Sequence, residues 1–299
     1  MHNIFRSTPF LILLLPTIVS AQTSSESVVK DACAMPSKIL GGERNYAVYL
    51  PPGYATSARS YPVLYLLHGA GDDQTGWVQF GEVQRITDQA IANGTATPMI
   101  IIMPDADTGQ RGYFNDISGN WNYEDFFFQE LMPWVETRYR IKRQKRYRAV
   151  AGLSMGGGGT FMYALHHPEL FSSACPLSAS TGPRDLEDAK RRYRRPRKDA
   201  ADSEATPPTD EQIEAYFHGH SVLSLLESMP AKEIGSVRWY IDCGDGDFLY
   251  EGNSLAHIAM RKHKIDHEFR IRDGVHSWSY WRASLPSVLE FVTDAFHQK

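Results

Sequence analysis

The sequence predicts an α/β protein with a mainly parallel central sheet and helices on both faces. Continuous apolar runs, which are typical of strands buried on both faces, recur along the chain, as in residues 62–73 and 98–107. Helical patterns lie between such runs, and Phe127, Leu131 and Trp134 recur at helical spacing. Strands that alternate with helices form βαβ units, which build a parallel sheet covered on both sides.

The predicted elements cover most of the chain. Strands are predicted at residues 44–54, 62–73, 98–107, 147–152, 172–180, 237–247 and 267–274, and helices at 124–139, 155–166, 253–263 and 280–296. The 299 residues, 42% hydrophobic and 22% charged, have ordinary globular composition and suffice for a large core. The net charge of −4 indicates no polyanionic partner, and we find no nucleic-acid motif, phosphate-binding loop or metal-ligand pattern.

The N-terminus predicts export. Residues 1–21 read as a secretory signal peptide, because the apolar run FLILLLPTIVSA ends in small residues at Ala21. The run is shorter than the ~20 apolar residues that span a bilayer, and Pro16 interrupts it, so a stable membrane anchor is disfavoured. We expect a flexible, serine-rich leader over residues 22–38 and a single domain over 39–299 in a secreted or periplasmic protein.

The chain has three cysteines, Cys33, Cys175 and Cys243. Their spacings fit no zinc pattern. Cys175 and Cys243 lie in apolar, strand-like runs, which favours buried thiols. A disulfide from Cys33 to one of the other two stays open at this point.

One segment departs from the α/β pattern, at residues 183–210. Between Arg184 and Lys198 it holds eight Lys or Arg residues against three Asp or Glu residues. We predict a charged insertion or small cap that is solvated. The functional alternative is a cap over the site whose basic cluster meets an acidic polymer.

The stretch Gly152-Leu153-Ser154-Met155-Gly156 matches the pattern G-x-S-x-G. The bare pattern is weak, but this copy follows a predicted strand and opens a predicted helix, which is the setting of a nucleophile elbow. Glycines there let strand and helix approach closely while the serine adopts a strained backbone conformation. Ser154 is therefore the predicted nucleophile.

A serine nucleophile needs a base, and in the α/β-hydrolase order the acid and then the base follow the serine. His276 is the best base, because it follows the last predicted strand at the carboxyl edge of the sheet. Asp242, Asp245 and Asp247 are the candidate acids. Asp242 lies inside a predicted strand, and spacing alone does not choose between the other two.

An oxyanion hole needs two backbone donors. One is predicted to be the N–H of Met155, which follows the nucleophile. The other is predicted in the loop after the strand that ends in His68-Gly69, at Ala70.

Taken together, these motifs resemble the esterase-D-like branch of the α/β-hydrolases, which includes feruloyl and acetyl-xylan esterases, S-formylglutathione hydrolases, enterochelin-esterase-like proteins and bacterial mycolyltransferases. The resemblance implies an α/β-hydrolase fold and a serine esterase that uses no cofactor or metal. It also implies that Asp247, which precedes Phe-Leu in the acid loop, is the triad acid. The segments that carry it are residues 66–77, 102–106, 121–139, 152–157, 243–253 and 274–281.

Several aromatic residues lie near the predicted sheet edges and are candidates to stack on a sugar or a phenol, with packing as the equal alternative. They are Trp77, Trp121, Tyr123 and Trp278, with Trp281 beside them. Together with export, the resemblance implies feruloyl or acetyl esters of plant cell-wall polysaccharide as substrates. The alternatives are a mycolyltransferase-type acyltransferase, a general short-chain or S-formylglutathione-like esterase and, disfavoured by the triad, a non-catalytic binding protein. The oligomeric state stays open.

Overall fold

The computed structural model describes residues 26–106, 112–194 and 207–297. Its eight strands form one sheet in the order β1-β2-β4-β3-β5-β6-β7-β8. The β1–β2 and β2–β4 pairs are antiparallel, and every pair from β4 to β8 is parallel. The strands are β1 Val28–Pro36, β2 Glu43–Leu50, β3 Val63–Leu67, β4 Ile100–Pro104, β5 Arg148–Leu153, β6 Ser173–Leu177, β7 Arg238–Gly244 and β8 His267–Arg272.

Helices cover both faces of this sheet. On one face Phe161 of α5 and Ala256 of α10 belong to a buried core, and on the other Ile86 of α2 and Leu285 of α11 belong to a second core. The predicted α/β architecture, with its mainly parallel sheet, is confirmed. The helices are α1 Gly76–Gln79, α2 Val83–Ala92, α3 Tyr123–Phe126, α4 Met132–Arg138, α5 Met155–His166, α6 Leu186–Tyr193, α7 Asp210–His220, α8 Val222–Ser228, α9 Ala231–Ile234, α10 Tyr250–Lys262 and α11 Trp278–His297, with a π-helical turn, Phe127–Leu131, between α3 and α4.

The predicted flexible leader over residues 22–38 is wrong where the structure describes it. Strand β1 pairs with β2 along its length, from Val28 opposite Leu50 to Pro36 opposite Glu43. Most side chains of this edge strand are exposed or half-buried, so the segment lacks the apolar signature of the inner strands. The rest of the leader and the predicted signal peptide lie outside the described residues. Within the described ranges, no helix is long and apolar enough to cross a bilayer.

All three cysteines are free thiols, so the disulfide considered for Cys33 is not formed. Cys175 and Cys243 are buried in β6 and β7, as the apolar pattern of those runs predicts. Burial raises the pKa of Cys243 to about 12 and that of Cys175 well above its ordinary value. Both thiols are therefore held in the protonated form.

The insertion predicted at residues 183–210 follows β6. Helix α6 lies within these bounds, whereas α7 begins only at Asp210 and continues to His220, so the excursion from the sheet is longer than predicted. Two hydrogen bonds join the start of the insertion to its end. The N–H of Val222 donates to the Thr181 carbonyl at 3.2 Å, and the Ser221 hydroxyl donates to the Pro183 carbonyl at 2.9 Å. The chain therefore enters and leaves the insertion at one place.

Ion pairs within and beside the insertion occupy its basic side chains, so the described part offers no unpaired basic cluster to an acidic polymer. At its far side α7 is tied to the loop after β4, because the Tyr216 hydroxyl donates to the Asn115 carbonyl at 2.8 Å. The basic residues in ion pairs, across residues 183–194 and 207–221, are Arg184, Lys190, Arg191, Arg192 and Arg194.

Candidate active site

Ser154 sits at the sharp turn between β5 and α5, with φ of 54° and ψ of −115°. A left-handed backbone costs a non-glycine residue on the order of 1–3 kcal/mol and persists only where its surroundings hold it. Here the N–H of Ser154 donates to the Leu177 carbonyl at 2.9 Å, and its carbonyl accepts from the N–H groups of Gly158 and Ser180. These bonds tie the turn to α5 and to the end of β6, so the serine is held in one position.

The glycines around Ser154 allow this packing. A Cβ on Gly156 would lie 2.6 Å from the Leu67 carbonyl oxygen, and one on Gly157 would lie 2.7 Å from the Leu177 carbonyl oxygen. Both distances are below van der Waals contact, so any side chain would push α5 away from β3 and β6. The glycine run therefore rigidifies the turn rather than loosening it.

The structure brings Ser154, Asp247 and His276 together, although they follow three different strands. His276 Nε2 lies 2.9 Å from Ser154 Oγ, and His276 Nδ1 lies 2.8 Å and 3.0 Å from the two carboxylate oxygens of Asp247. Because a carboxylate only accepts, Nδ1 carries a proton and Nε2 of the neutral ring is free to accept from the serine hydroxyl. The arrangement is that of a nucleophile, a base and an acid that orients the base.

The Asp247 side chain is buried but stays ionised. Burial raises the pKa of this carboxyl, but hydrogen bonds from His276, from the Leu249 N–H at 2.8 Å and from the Ser178 hydroxyl outweigh it and hold the pKa below its usual range. A carboxylate held in this form stabilises a positive charge on the neighbouring imidazole.

The other two candidate aspartates are engaged elsewhere. Asp245 accepts from the Gly274 N–H at 3.1 Å, a bond that braces the loop after β8. Asp242 is buried within β7 and accepts from Arg272 and from the hydroxyl of Tyr280. Of the three candidates, Asp247 is the one whose carboxylate contacts the His276 ring, and its role as the acid stays a prediction.

The loop after β3 passes directly beside the nucleophile, since a Cβ on Gly69 would lie 3.4 Å from the Ser154 Cβ. The buried His68 ring holds this loop: Nδ1–H donates to the Gly69 carbonyl at 2.9 Å, and Nε2 accepts from the Ala106 N–H at 3.1 Å. Burial lowers the pKa of His68 to about 4, so the ring is neutral, as this pair of bonds requires. His68 therefore links the ends of β3 and β4.

Of the two predicted oxyanion donors, Met155 is next to Ser154 in the chain, and Ala70 belongs to the loop that passes beside it. Met155 is the first residue of α5, where backbone N–H groups have no partner within the helix. Ala70 follows Gly69 in the loop that lies against the serine. Their role in holding an oxyanion remains a prediction.

Of the predicted stacking residues, Trp77, Trp121 and Tyr123 are buried and Trp278 is half-buried. Trp77 and Tyr123 are fully buried, and each donates to a backbone carbonyl: the Trp77 indole to Leu67, and the Tyr123 hydroxyl to Asp105. The prediction that these two residues contact substrate is wrong, because both side chains are buried. Large aromatic side chains with one polar group are also typical of protein cores. Trp278 is half-buried and packs edge-on against Trp77.

Trp121 lines a groove between the insertion and the loop after β4. The groove encloses about 320 Å³. Gly112, which lines the groove, lies against the side chain of Met155, the residue after Ser154, since a Cβ on Gly112 would be 3.3 Å from the Met155 sulfur. The groove-lining residues are Gly112, Phe114, Asp116, Ile117, Trp121, Arg192, Tyr193 and Tyr216.

Sequence reasoning missed three exposed apolar side chains next to the acid and the base. Phe248 is 72% exposed, Val275 57% and Tyr250 55%. The Phe248 ring centroid lies 4.5 Å from that of His276. The available signal was adjacency in sequence, because Phe248 follows the predicted acid and Val275 precedes the predicted base.

Within the ranges that the structure describes, we find no group of three or more His, Cys, Asp or Glu side chains that could hold a metal ion.

Comparisons with known proteins show which family the chain belongs to. The protein family described as "Putative esterase" matches residues 37–292. A solved ferulic acid esterase superposes with a TM-score of 0.77 and 34% sequence identity, over 91% of this chain and 99% of that one.

Two curated relatives match about half of the chain. An esterase of Mycobacterium tuberculosis is 40% identical over 152 residues, 49% of this chain and 31% of the relative. An endo-1,4-beta-xylanase/feruloyl esterase of Xylanibacter ruminicola is 36% identical over 166 residues, 52% of this chain and 22% of the relative. The chain thus spans less than a third of these relatives' length. From the family match and the ferulic acid esterase structure, we conclude that the chain belongs to this esterase family of carboxylic-ester hydrolases, with the α/β-hydrolase fold.

Proposed function

We propose that this protein hydrolyses carboxylic esters through a Ser154–His276–Asp247 triad. The observation that carries the proposal is the chain of hydrogen bonds from Ser154 Oγ through His276 to the buried carboxylate of Asp247, at 2.9 Å and 2.8 Å. No cofactor takes part in this chemistry.

In the first step His276 Nε2 takes the hydroxyl proton as Ser154 Oγ forms a bond to the ester carbonyl carbon. The N–H groups of Met155 and Ala70 hold the negative charge that develops on the carbonyl oxygen. Asp247 stabilises the imidazolium. His276 then gives its proton to the alcohol oxygen as the carbon–oxygen bond breaks, and an acyl-enzyme remains.

In the second step water replaces the alcohol. His276 takes a proton from the water, whose oxygen attacks the acyl carbon, and returns that proton to Ser154 Oγ as the acid leaves. The elbow, held by the end of β6, keeps the serine in place through both steps.

We further propose that the acyl groups are feruloyl or acetyl groups on plant cell-wall carbohydrate, and that the protein acts after export. The names of the ferulic acid esterase and of the xylanase/feruloyl esterase relative support this substrate class. The predicted signal peptide over residues 1–21 supports export.

A panel assay tests the proposal. The mature protein is incubated with methyl ferulate, acetylated xylan and p-nitrophenyl acetate, and the released acid is quantified. We expect release from p-nitrophenyl acetate and from at least one of the two other substrates. Release from p-nitrophenyl acetate alone would overturn the carbohydrate-ester assignment, and release from none of the three would overturn the esterase itself.

A further inference from the structure

The strand order divides the surface around Ser154 into two sides. Strands β3 and β4 lie on one side of β5, and β6, β7 and β8 lie on the other. The oxyanion loop with Ala70 follows β3, whereas Asp247 follows β7 and His276 follows β8. Because His276 Nε2 must give its proton to the departing alcohol oxygen, the alcohol part of the ester leaves on the β7–β8 side.

That side carries an unusual amount of exposed apolar surface. Across the described ranges, seven large hydrophobic side chains are exposed, and three of them, Phe248, Tyr250 and Val275, lie in or next to the loops after β7 and β8. Exposed apolar side chains that cluster are typical of binding sites, whereas scattered ones need no explanation. The cluster therefore points to a ligand.

Two members of this cluster, Phe248 and Val275, lie against the base and the acid loop. The Phe248 ring packs against His276 at a centroid distance of 4.5 Å and an interplanar angle of 49°, while most of its surface faces solvent. Val275 packs beside the acid loop, since a Cβ on Gly246 would lie 3.1 Å from its Cγ1 atom. A group bonded to an oxygen at His276 Nε2 is therefore close to the exposed Phe248 ring.

Charged groups border the same surface. Glu251 follows Tyr250 at the start of α10, and it forms an exposed ion pair with Arg184 from the insertion. A sugar ring has apolar C–H faces and a polar edge of hydroxyls, so it matches an aromatic surface with a charged border. A hydrocarbon chain would make no use of the ion pair.

We propose that Phe248, Tyr250 and Val275 form a platform for the sugar residue that bears the ester oxygen, and that Arg184 and Glu251 bind its hydroxyls. The proposal rests on the proposed function and adds where the carbohydrate binds. The platform selects the alcohol part of the ester and leaves the acyl part to the other side of Ser154.

Two ferulate esters that share an acyl group and differ in the alcohol test the platform. They are methyl ferulate and a feruloylated arabinoxylan trisaccharide. For each, kcat/KM is measured for the wild type, Phe248→Ala, Phe248→Trp and the control Ile258→Ala. Ile258 is also exposed, at 58%, but lies farther along α10.

In Phe248→Ala the ratio of kcat/KM for the trisaccharide to that for methyl ferulate should fall about tenfold, the scale of one lost aromatic contact. Phe248→Trp should restore the ratio, and Ile258→Ala should leave it unchanged. Equal losses on both esters, with a shifted pH–rate profile, would mean that Phe248 only positions His276. That result, or an unchanged ratio, overturns the platform.

The platform and the proposed function can fail separately. If the wild type cleaves neither ferulate ester, the comparison is made with methyl acetate and an acetylated xylo-oligosaccharide, which again share one acyl group. Failure of the wild type on all four esters overturns the proposed function and the platform with it. Cleavage with no dependence on residue 248 overturns the platform alone.

Discussion

His276 Nε2 and Ser154 Oγ lie 2.9 Å apart although 122 positions separate the two residues in the chain. Both residues stand at the carboxyl ends of parallel strands, where loops from distant parts of a sequence meet. The contact needs β6, β7 and β8 to be correctly paired, so it depends on the whole second half of the sheet. Loss of activity is therefore expected whenever the pairing of these strands is disturbed.

Replacement of Ser154 with Ala should lower kcat/KM for p-nitrophenyl acetate by roughly 10⁴-fold or more, because the nucleophile is lost while the backbone donors stay. The variant should also stop reacting with a fluorophosphonate probe. Its thermal unfolding should remain cooperative, since the substitution removes one hydroxyl from a turn held by backbone bonds. Covalent labelling of the variant at wild-type rates would contradict the role of Ser154.

Replacement of Asp247 with Asn should lower kcat by roughly 10³- to 10⁴-fold, because an amide neither holds the same imidazole tautomer nor stabilises its cation. Asp245→Asn is the matched control. Its carboxylate accepts from the Gly274 N–H rather than from the imidazole, and the amide oxygen of Asn can replace it. We expect kcat of the control to stay within a few-fold of wild type. A control as inactive as Asp247→Asn would shift the acid role to Asp245.

The neutral His68 ring should make stability depend on pH. Burial lowers its folded-state pKa from 6.5 to about 4, so the unfolded chain binds this proton more readily between those values. The free energy of unfolding should therefore fall as the pH drops from 6.5 to 4, with this residue contributing up to about 3 kcal/mol. Above pH 6.5 its contribution is constant.

Urea unfolding at several pH values measures this effect. The difference in pH dependence between wild type and His68→Gln isolates the residue from the carboxylates that titrate in the same range. His218→Gln is the matched control, because the His218 side chain is exposed on α7. Identical pH dependence in wild type and His68→Gln would show that the ring is not held neutral.

Gly156→Ala should destabilise the protein by about 2 kcal/mol or more, because the new methyl would lie 2.6 Å from the Leu67 carbonyl oxygen and 2.5 Å from that of His68. Gly219→Ala is the matched control on α7, where a Cβ meets nothing within 4 Å. Since alanine is the better helix former, the control should be stabilised by about 0.5–1 kcal/mol. Chemical unfolding of both variants checks the pair, and equal effects would contradict the packing argument.

The inner strands and the elbow were predictable because their signals are local. Residues of β3 and β4 are buried throughout, so their runs are apolar without interruption. G-x-S-x-G between a strand and a helix predicts a tight turn at the serine, because a side chain at either glycine would collide with backbone atoms. The acid was not predictable from spacing alone. Asp245 and Asp247 differ only in how one loop folds, and that depends on contacts with the loop after β8.

Three other features were not predicted from the sequence, for related reasons. Strand β1 lies at a sheet edge with mostly exposed side chains, so its sequence resembles a polar leader. Trp77 and Phe248 are both large and apolar, yet one is buried and the other is 72% exposed. Residue type indicates how much surface a side chain has, whereas the direction in which it points is set by the packing of the finished fold.

The two hydrogen bonds that join the ends of the insertion determine which sequence changes the fold can accept. The backbone bond between Thr181 and Val222 and the bond from Ser221 to the Pro183 carbonyl bring the two stems of the excursion side by side. Whatever lies between the stems spans almost no distance, so its length imposes no strain on β6 or β7. The segment is an exchangeable cassette: a longer, shorter or differently charged cap could be grafted there while the nucleophile, the base and the acid keep their positions.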